Sequence, residues 1–199
     1  MLVEALMAVA LLGILFGLFA SVASLMTSRD ATLTRQAYLS VQARAGTDQL
    51  SRELESAMCN GATQPITSAT TTQVQFTAPD RLQPYHLQQL TYSLAANTFR
   101  KQIAISTNTN GPPWTMGATS SPAAIVNSIA NPSVFRYYDS TGAELVPTSG
   151  SLTAAQLPKV ARISLTLTVV PLASHGAGAL TTQGSATVRT WSTQQTCTP

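Results

Sequence analysis

The sequence predicts an α+β protein, a long N-terminal helix followed by an antiparallel, β-rich head. Three observations predict it. No proline occurs from Met1 to Gln64, and the first part of that stretch is an apolar run, Leu2 to Met26. Beyond about residue 61 the apolar residues change from helical spacing to alternation. The alternating runs are separated by stretches rich in Asn, Gly, Ser and Pro, which suit turns rather than regular elements. The expected organisation is an apolar helix over 1–26, an amphipathic continuation over 27–60, and a globular β-rich head over 61–199.

Leu2–Met26 is long enough to span a hydrocarbon core as a helix of about 20 residues or more. It is longer than the core of a cleaved signal peptide and has no basic start. Its one charge is Glu4. A carboxylate inside a bilayer costs several kcal/mol, less near the end, and usually has a partner. The nearest partner type is a free α-amino group, its own or a neighbour's. The plainer alternative sets Glu4 in the head-group layer, at the positive end of the helix dipole. Gly13, Gly17 and Ser21 recur at spacing four on one face, a pattern that lets helices approach closely in lipid.

After Met26 the sequence turns polar and keeps a helical character to about residue 59. Leu33, Ala37 and Val41 share one face, and Leu50, Leu54, Ala57 and Met58 form a stripe further on. Asp48 and Arg52 are placed to support the helix, Gly46 is a mild weak point, and Asn60-Gly61 is a stop signal. The continuous helix would be roughly 85 Å long at 1.5 Å per residue.

The strands follow in order. Gln73–Ala78 alternates through Val74 and Phe76. Leu90, Tyr92 and Leu94 alternate, and Ala96-Asn97 turns that strand into Phe99–Ile105 as a hairpin. Ser106–Pro122 is a long loop, and Pro122–Ala130 is expected to hold a short helix. Val134–Asp139 is a strand, followed by a Ser140-Thr141-Gly142 turn into Ala143–Val146, and Pro147–Pro158 is another loop. Val160–Val170 alternates best, with Ile163, Leu165, Leu167 and Val169 on one face and Ser164, Thr166 and Thr168 on the other. Ser174–Gly178 is a turn, and Gly184–Trp191 is expected as the last strand.

Composition narrows the function. Charged residues make up only 10% of the chain and the net charge is +3, with no basic run, so nucleic acid is not indicated as a partner. Two cysteines, Cys59 and Cys197, lie outside any metal-ligand spacing. In an oxidising compartment they pair and pin the C-terminal stretch to the helix end, stabilising by about 4–5 kcal/mol in the loop-entropy model. Otherwise they are two separate buried thiols. His86 and His175 stand alone as surface loop histidines. The glycine-rich His175–Gly178 follows a strand and opens no helix, so it is no phosphate loop. No Gly-x-Ser-x-Gly elbow occurs. Asp139 has too few carboxylates nearby for calcium and belongs to a turn. Trp114 is either a loop contact or packed on the sheet. The expectation is no enzyme, no metal and no cofactor.

Met1-Leu2-Val3-Glu4-Ala5-Leu6, continued by Ala8–Leu15, resembles the start of a mature type IV pilin-like protein. That family begins Phe-Thr-Leu-Val-Glu and continues as a long apolar helix. Arg44 to Cys59, with Asp48-Gln49-Leu50-Ser51-Arg52-Glu53-Leu54, is similar to PilW-like minor pilins and to the J-type minor pseudopilins of type II secretion. Phe135–Asp139 and Leu157–Ile163 are similar, more weakly, to that group's sheet.

The resemblance implies a pilin-like fold, with the second half of the helix packed on an antiparallel sheet. It implies a structural subunit of a pilus or secretion filament. Before assembly the subunit would sit in the inner membrane as a single-pass protein with its head outside the cytoplasm, and afterwards in a filament or at the cell surface. The implied partners are other pilin or pseudopilin subunits, an inner-membrane assembly platform, membrane lipid and the prepilin peptidase. In the family, that peptidase removes a basic leader ending in Gly, and the new terminal amine is methylated. Glu4 matches the glutamate that interacts with this amine on a neighbouring subunit. The leader would lie upstream of Met1, which stands where Thr is common, so the resemblance assigns cleavage and methylation to no residue here. Arg29 and Arg35 would by themselves orient the run the other way, and leader lysines or arginines would outweigh them. A second reading is a non-assembling, membrane-tethered extracytoplasmic binding domain, in which Glu4 is dispensable.

Overall fold

The computed structural model describes residues 2–80, 86–108, 111–148, 150–170, 179–188 and 197, with side chains for all of these but 2, 4–6, 8 and 27–32. Helix α1 runs unbroken from Leu2 to Glu55, 54 residues. Two antiparallel sheets follow. The first is a five-stranded meander of β1 (Ile66–Ala69), β2 (Gln73–Asp80), β3 (His86–Ala95), β4 (Thr98–Ile105) and β5 (Ala123–Val126), in that spatial order. The second has four strands in the order β7-β6-β8-β9, with β6 at Phe135–Tyr138, β7 at Glu144–Leu145, β8 at Arg162–Val169 and β9 at Leu180–Thr187. The class is α+β, as the patterning predicts.

The β3–β4 hairpin turns at Ala96 and Asn97, both with positive φ (47° and 58°), the backbone that a tight hairpin turn needs. A line of aromatic rings joins the two sheets. Phe76, Tyr92 and Phe99 follow one another across the first sheet, and Phe135 and Tyr137 continue into the second. The junction is Phe99–Phe135, with centroids 6.1 Å apart. The Tyr137 hydroxyl donates to the carbonyls of Thr70 (2.7 Å) and Gln73 (3.0 Å), tying the second sheet to the β1–β2 turn. Burial holds the Tyr137 phenol well above its ordinary pKa, so it stays a donor.

Helix α1 bridges the sheets, touching β9 and β8 on one side and β5 and β2 on the other. Leu39, Ala43, Leu50 and Leu54 are buried in the core, at helical spacing on one face, and Ala57, two residues past the helix end, is buried with them. The second stripe predicted from the sequence is therefore the packed one. Leu33 and Val41, predicted to share a face, are exposed along with Tyr38.

Three expectations are corrected. The short helix expected over Pro122–Ala130 is strand β5, because Val126 pairs opposite Phe99 and is fully buried. Ser128, with φ 62°, turns the chain after it. The last strand starts at Leu180 rather than Gly184, because β8 offers eight positions and β9 pairs with all of them, from Val169↔Leu180 to Arg162↔Thr187. The helix ends at Glu55, four residues before the predicted end, and Asn60 and Gly61 lie in the turn that follows. Ser174–Gly178, His175 and residues 189–191 lie outside the described residues.

Asp139 folds the β6–β7 turn. Its Oδ1 accepts from the Thr141 hydroxyl (2.6 Å), the Thr141 N–H (2.9 Å) and the Ala143 N–H (2.9 Å). The Thr141 hydroxyl is the main cause that holds this exposed carboxyl below its ordinary pKa, against opposing desolvation and with smaller help from the backbone donors. A lowered folded pKa means that the ionised form supports the turn above the unfolded value of about 3.9, and that the support fades as pH falls through the folded value. Amide exchange at Thr141 and Ala143, corrected for intrinsic rates, is expected to accelerate below about pH 4. In Asp139→Asn that pH dependence should vanish. Unchanged dependence in the variant would remove Asp139 as its source.

Candidate functional site: the apolar helix and its seat in the head

The apolar stretch of α1 from Val9 to Met26 is bare. Val9–Met26 has mean hydropathy 2.4 and none of it is buried in the chain. Phe16 and Phe19 are 70% and 73% exposed. At 1.5 Å per residue these 18 residues cover about 27 Å, close to the thickness of a hydrocarbon core. The segment is long and apolar enough to cross a membrane once.

A Cβ built on Gly13 or Gly17 meets nothing within 4 Å. Each glycine costs a helix about 1 kcal/mol relative to alanine, and no contact within 4 Å of these positions among the described residues offsets that cost. The Ser21 hydroxyl donates to the Leu18 carbonyl within the helix (2.8 Å). Glu4 lies in the first turns of α1, and its side chain lies outside the described residues.

The second half of α1 is seated by two close approaches at consecutive residues. A Cβ on Gly46 would come within 2.8 Å of Ile125 Cγ2 and 3.2 Å of Val126 Cγ2 on β5. A Cβ on Gly184 would overlap the Thr47 methyl. The glycine predicted as a weak point of the helix is thus where β5 packs against it, and the mid-strand glycine of β9 admits Thr47. The buried Thr47 hydroxyl is satisfied by the Ala43 carbonyl at 2.8 Å.

Further along, Glu53 joins helix to sheet. Its Oε1 accepts from Lys101 Nζ at 2.6 Å and from Gln49 Nε2 at 3.1 Å, and its Oε2 accepts from the Tyr92 hydroxyl at 2.8 Å. The Lys101 and Glu53 side chains are only 12% and 21% exposed. Lys101 also lies 5.7 Å from the Tyr92 ring centroid. Burial first, and then the Glu53 carboxylate, push the Tyr92 phenol far above its ordinary pKa, so it remains a donor. Sequence reasoning missed this cluster. A signal for it existed, since Glu53 falls on the same helical stripe as Leu50, Leu54 and Ala57.

Beyond the helix, Cys59 and Cys197 form a disulfide, with Cα atoms 5.7 Å apart. The neighbouring Asn60 side chain acts as a backbone mimic. Its Nδ2 donates to the Trp114 carbonyl (2.9 Å) and its Oδ1 accepts the Trp114 N–H (2.6 Å). Trp114 is 8% exposed, which decides for packing over an exposed loop contact. His86 Nδ1 lies 3.0 Å from the Ser106 carbonyl, a strand-end contact. The Ser106 hydroxyl accepts from the Leu87 N–H and donates to the Asn108 carbonyl, so it is held as a structural group. Among the described residues no three His, Cys, Asp or Glu side chains gather as a metal site requires. No protein-family model matches this chain, and no curated protein matches it at a significant level.

Proposed function

We propose that this chain is a structural subunit of a filament assembled from the inner membrane, a minor pilin or pseudopilin of the type IV pilus or type II secretion kind. The observation that carries the reading is the continuity of α1. One unbroken helix runs from a bare apolar segment into the core of the head, so the two halves move as a single rod. A plain tether needs no such rod, since a flexible linker holds a domain at a membrane equally well. A subunit that is drawn out of lipid and stacked with its neighbours does need one. The bare Gly13, Gly17 and Ser21 face then serves close helix approach, first in lipid and later in the filament core. In this reading the two-sheet head on the second half of α1 plays the part of a pilin head and stays outside the cytoplasm, where Cys59–Cys197 is stable.

Glu4 sets register in this scheme. A subunit entering correctly gains an ion pair with a neighbour's terminal amine, and a misplaced one leaves the carboxylate unpaired in an apolar core. Glu4→Ala and Glu4→Leu are expected to leave the head folded and the protein in the membrane fraction. Incorporation into filaments should fall on the order of tenfold or more. Normal incorporation of both variants sinks the pairing role and favours the tethered binding domain.

A further inference from the structure

Strand β9 is the least protected sheet edge among the described residues. Native edges are usually kept short, bulged, charged or blocked by proline. Strand β7 has two residues, and β1 and β5 have four each with a register shift against the neighbouring strand. Strand β9 has eight residues, LTTQGSAT, paired to β8 with no shift and carrying no charge and no proline. Its other edge opens into a groove of about 490 Å³ beside α1, which lines it through Arg44, Asp48 and Ser51 and through Thr47, packed against Gly184. The near wall is made of five consecutive residues, Thr181–Ser185. Side chains on a strand alternate between faces, so five in a row line a groove only when it follows the strand's edge.

The ladder shows which backbone groups face that groove. The Val188 N–H donates to the Ala161 carbonyl at 2.9 Å, continuing the β8–β9 register. By antiparallel alternation, Thr182, Gly184 and Ala186 then bond to β8, while the N–H and C=O groups of Thr181, Gln183 and Ser185 point away from it.

We propose that this groove takes one extended segment of a partner protein, added as a strand along β9. Backbone donors and acceptors in an open row are matched by another strand. The α1 wall stands beside the edge, which favours a lone segment over the edge of a second sheet. Arg44 and Asp48 are one helical turn apart, about 6 Å, which matches the spacing of about 6.6–6.8 Å between residues two apart on a strand. The incoming segment therefore carries an acidic and a basic side chain two positions apart on the face toward α1. Hydroxyl side chains on its other face extend the Thr181, Gln183 and Ser185 row.

The test uses the full chain in detergent micelles and three synthetic peptides. One is acetyl-Thr-Glu-Thr-Lys-Thr-amide, in the second Glu and Lys are exchanged, and the third has Glu at both positions. Residue-resolved hydrogen exchange is expected to slow by about tenfold or more at Thr181, Gln183 and Ser185, and to stay unchanged at Thr182 and Gly184. One charge order should bind more tightly than the other. Gln183→Pro removes an outward N–H and leaves the β8 ladder intact, and Ser185→Lys adds an edge charge. Both should abolish the slowing with circular dichroism unchanged. Asp48→Lys should transfer preference to a peptide with Glu at both positions. No slowing at millimolar peptide, or slowing undiminished in both edge variants, overturns the proposal. So does self-association of the chain that Gln183→Pro abolishes while the peptides remain unbound.

Discussion

Glu53→Ala is expected to destabilise the head by about 3 kcal/mol, toward the low end for breaking a buried pair because both side chains keep some exposure. The loss comes from what stays behind. Lys101 keeps a charge at a mostly buried position, and the Tyr92 hydroxyl loses its acceptor while burial still prevents its ionisation. For a domain of this size the melting temperature should fall by about 6–12 °C. The double variant Glu53→Leu/Lys101→Met removes both charges and should recover the part of the loss due to Lys101, because well-packed apolar replacements of a buried pair are commonly near neutral, while the part due to the Tyr92 hydroxyl stays. Chemical denaturation of the unsubstituted chain, Glu53→Leu, Lys101→Met and the double variant closes a cycle that separates the pair from its surroundings. If Glu53→Ala alone is neutral, the cluster does not hold α1 to the sheet.

Removing the disulfide is the other large effect. Cys59 and Cys197 are 138 residues apart, so the bond closes almost the whole head into one loop. The loop-entropy model gives about 5 kcal/mol for such a closure, and measured losses for native disulfides run to about 2–5 kcal/mol. Cys59→Ser/Cys197→Ser is therefore expected to lose about 4 kcal/mol, a large share of a typical domain stability of about 5–15 kcal/mol. Adding a thiol reductant to the unsubstituted chain should reproduce that loss and leave the double variant unaffected. A reductant effect that persists without the cysteines would show that the bond is not its source.

Much of the architecture was legible because it rests on local periodicity. The proline-free helix, the β3–β4 hairpin at Ala96-Asn97 and the alternation of β8 are all signals carried within one element. The failures share a cause. Ala123–Val126 has no alternation of its own and is a strand only because β4 and α1 bury Val126. The start of β9 is set by the length of β8, and its Thr-rich sequence hides the strand because only Ala186 is buried among its residues. Gly46 looked like a flaw in the helix until Ile125 and Val126 supplied its reason. The Glu53–Lys101–Tyr92 cluster joins residues 48 and 39 positions apart, beyond any local pattern. Glu4, Gly13 and Gly17 stood out for the opposite reason, since each breaks the chemistry of an otherwise uniform run.

The seat of α1 has a mechanical consequence. The buried residues from Leu39 to Leu54 spread over about 22 Å of the helix axis. A force along that axis, applied through the apolar half, loads these contacts together in shear. A sideways force instead peels them one after another. Gly46 and Thr47 sit in tight notches against β5 and β9, so sliding the helix must first lift Thr47 past Gly184. The molecule is thus stiff toward axial traction and weak toward prying, and a pull straight along the rod leaves the head intact.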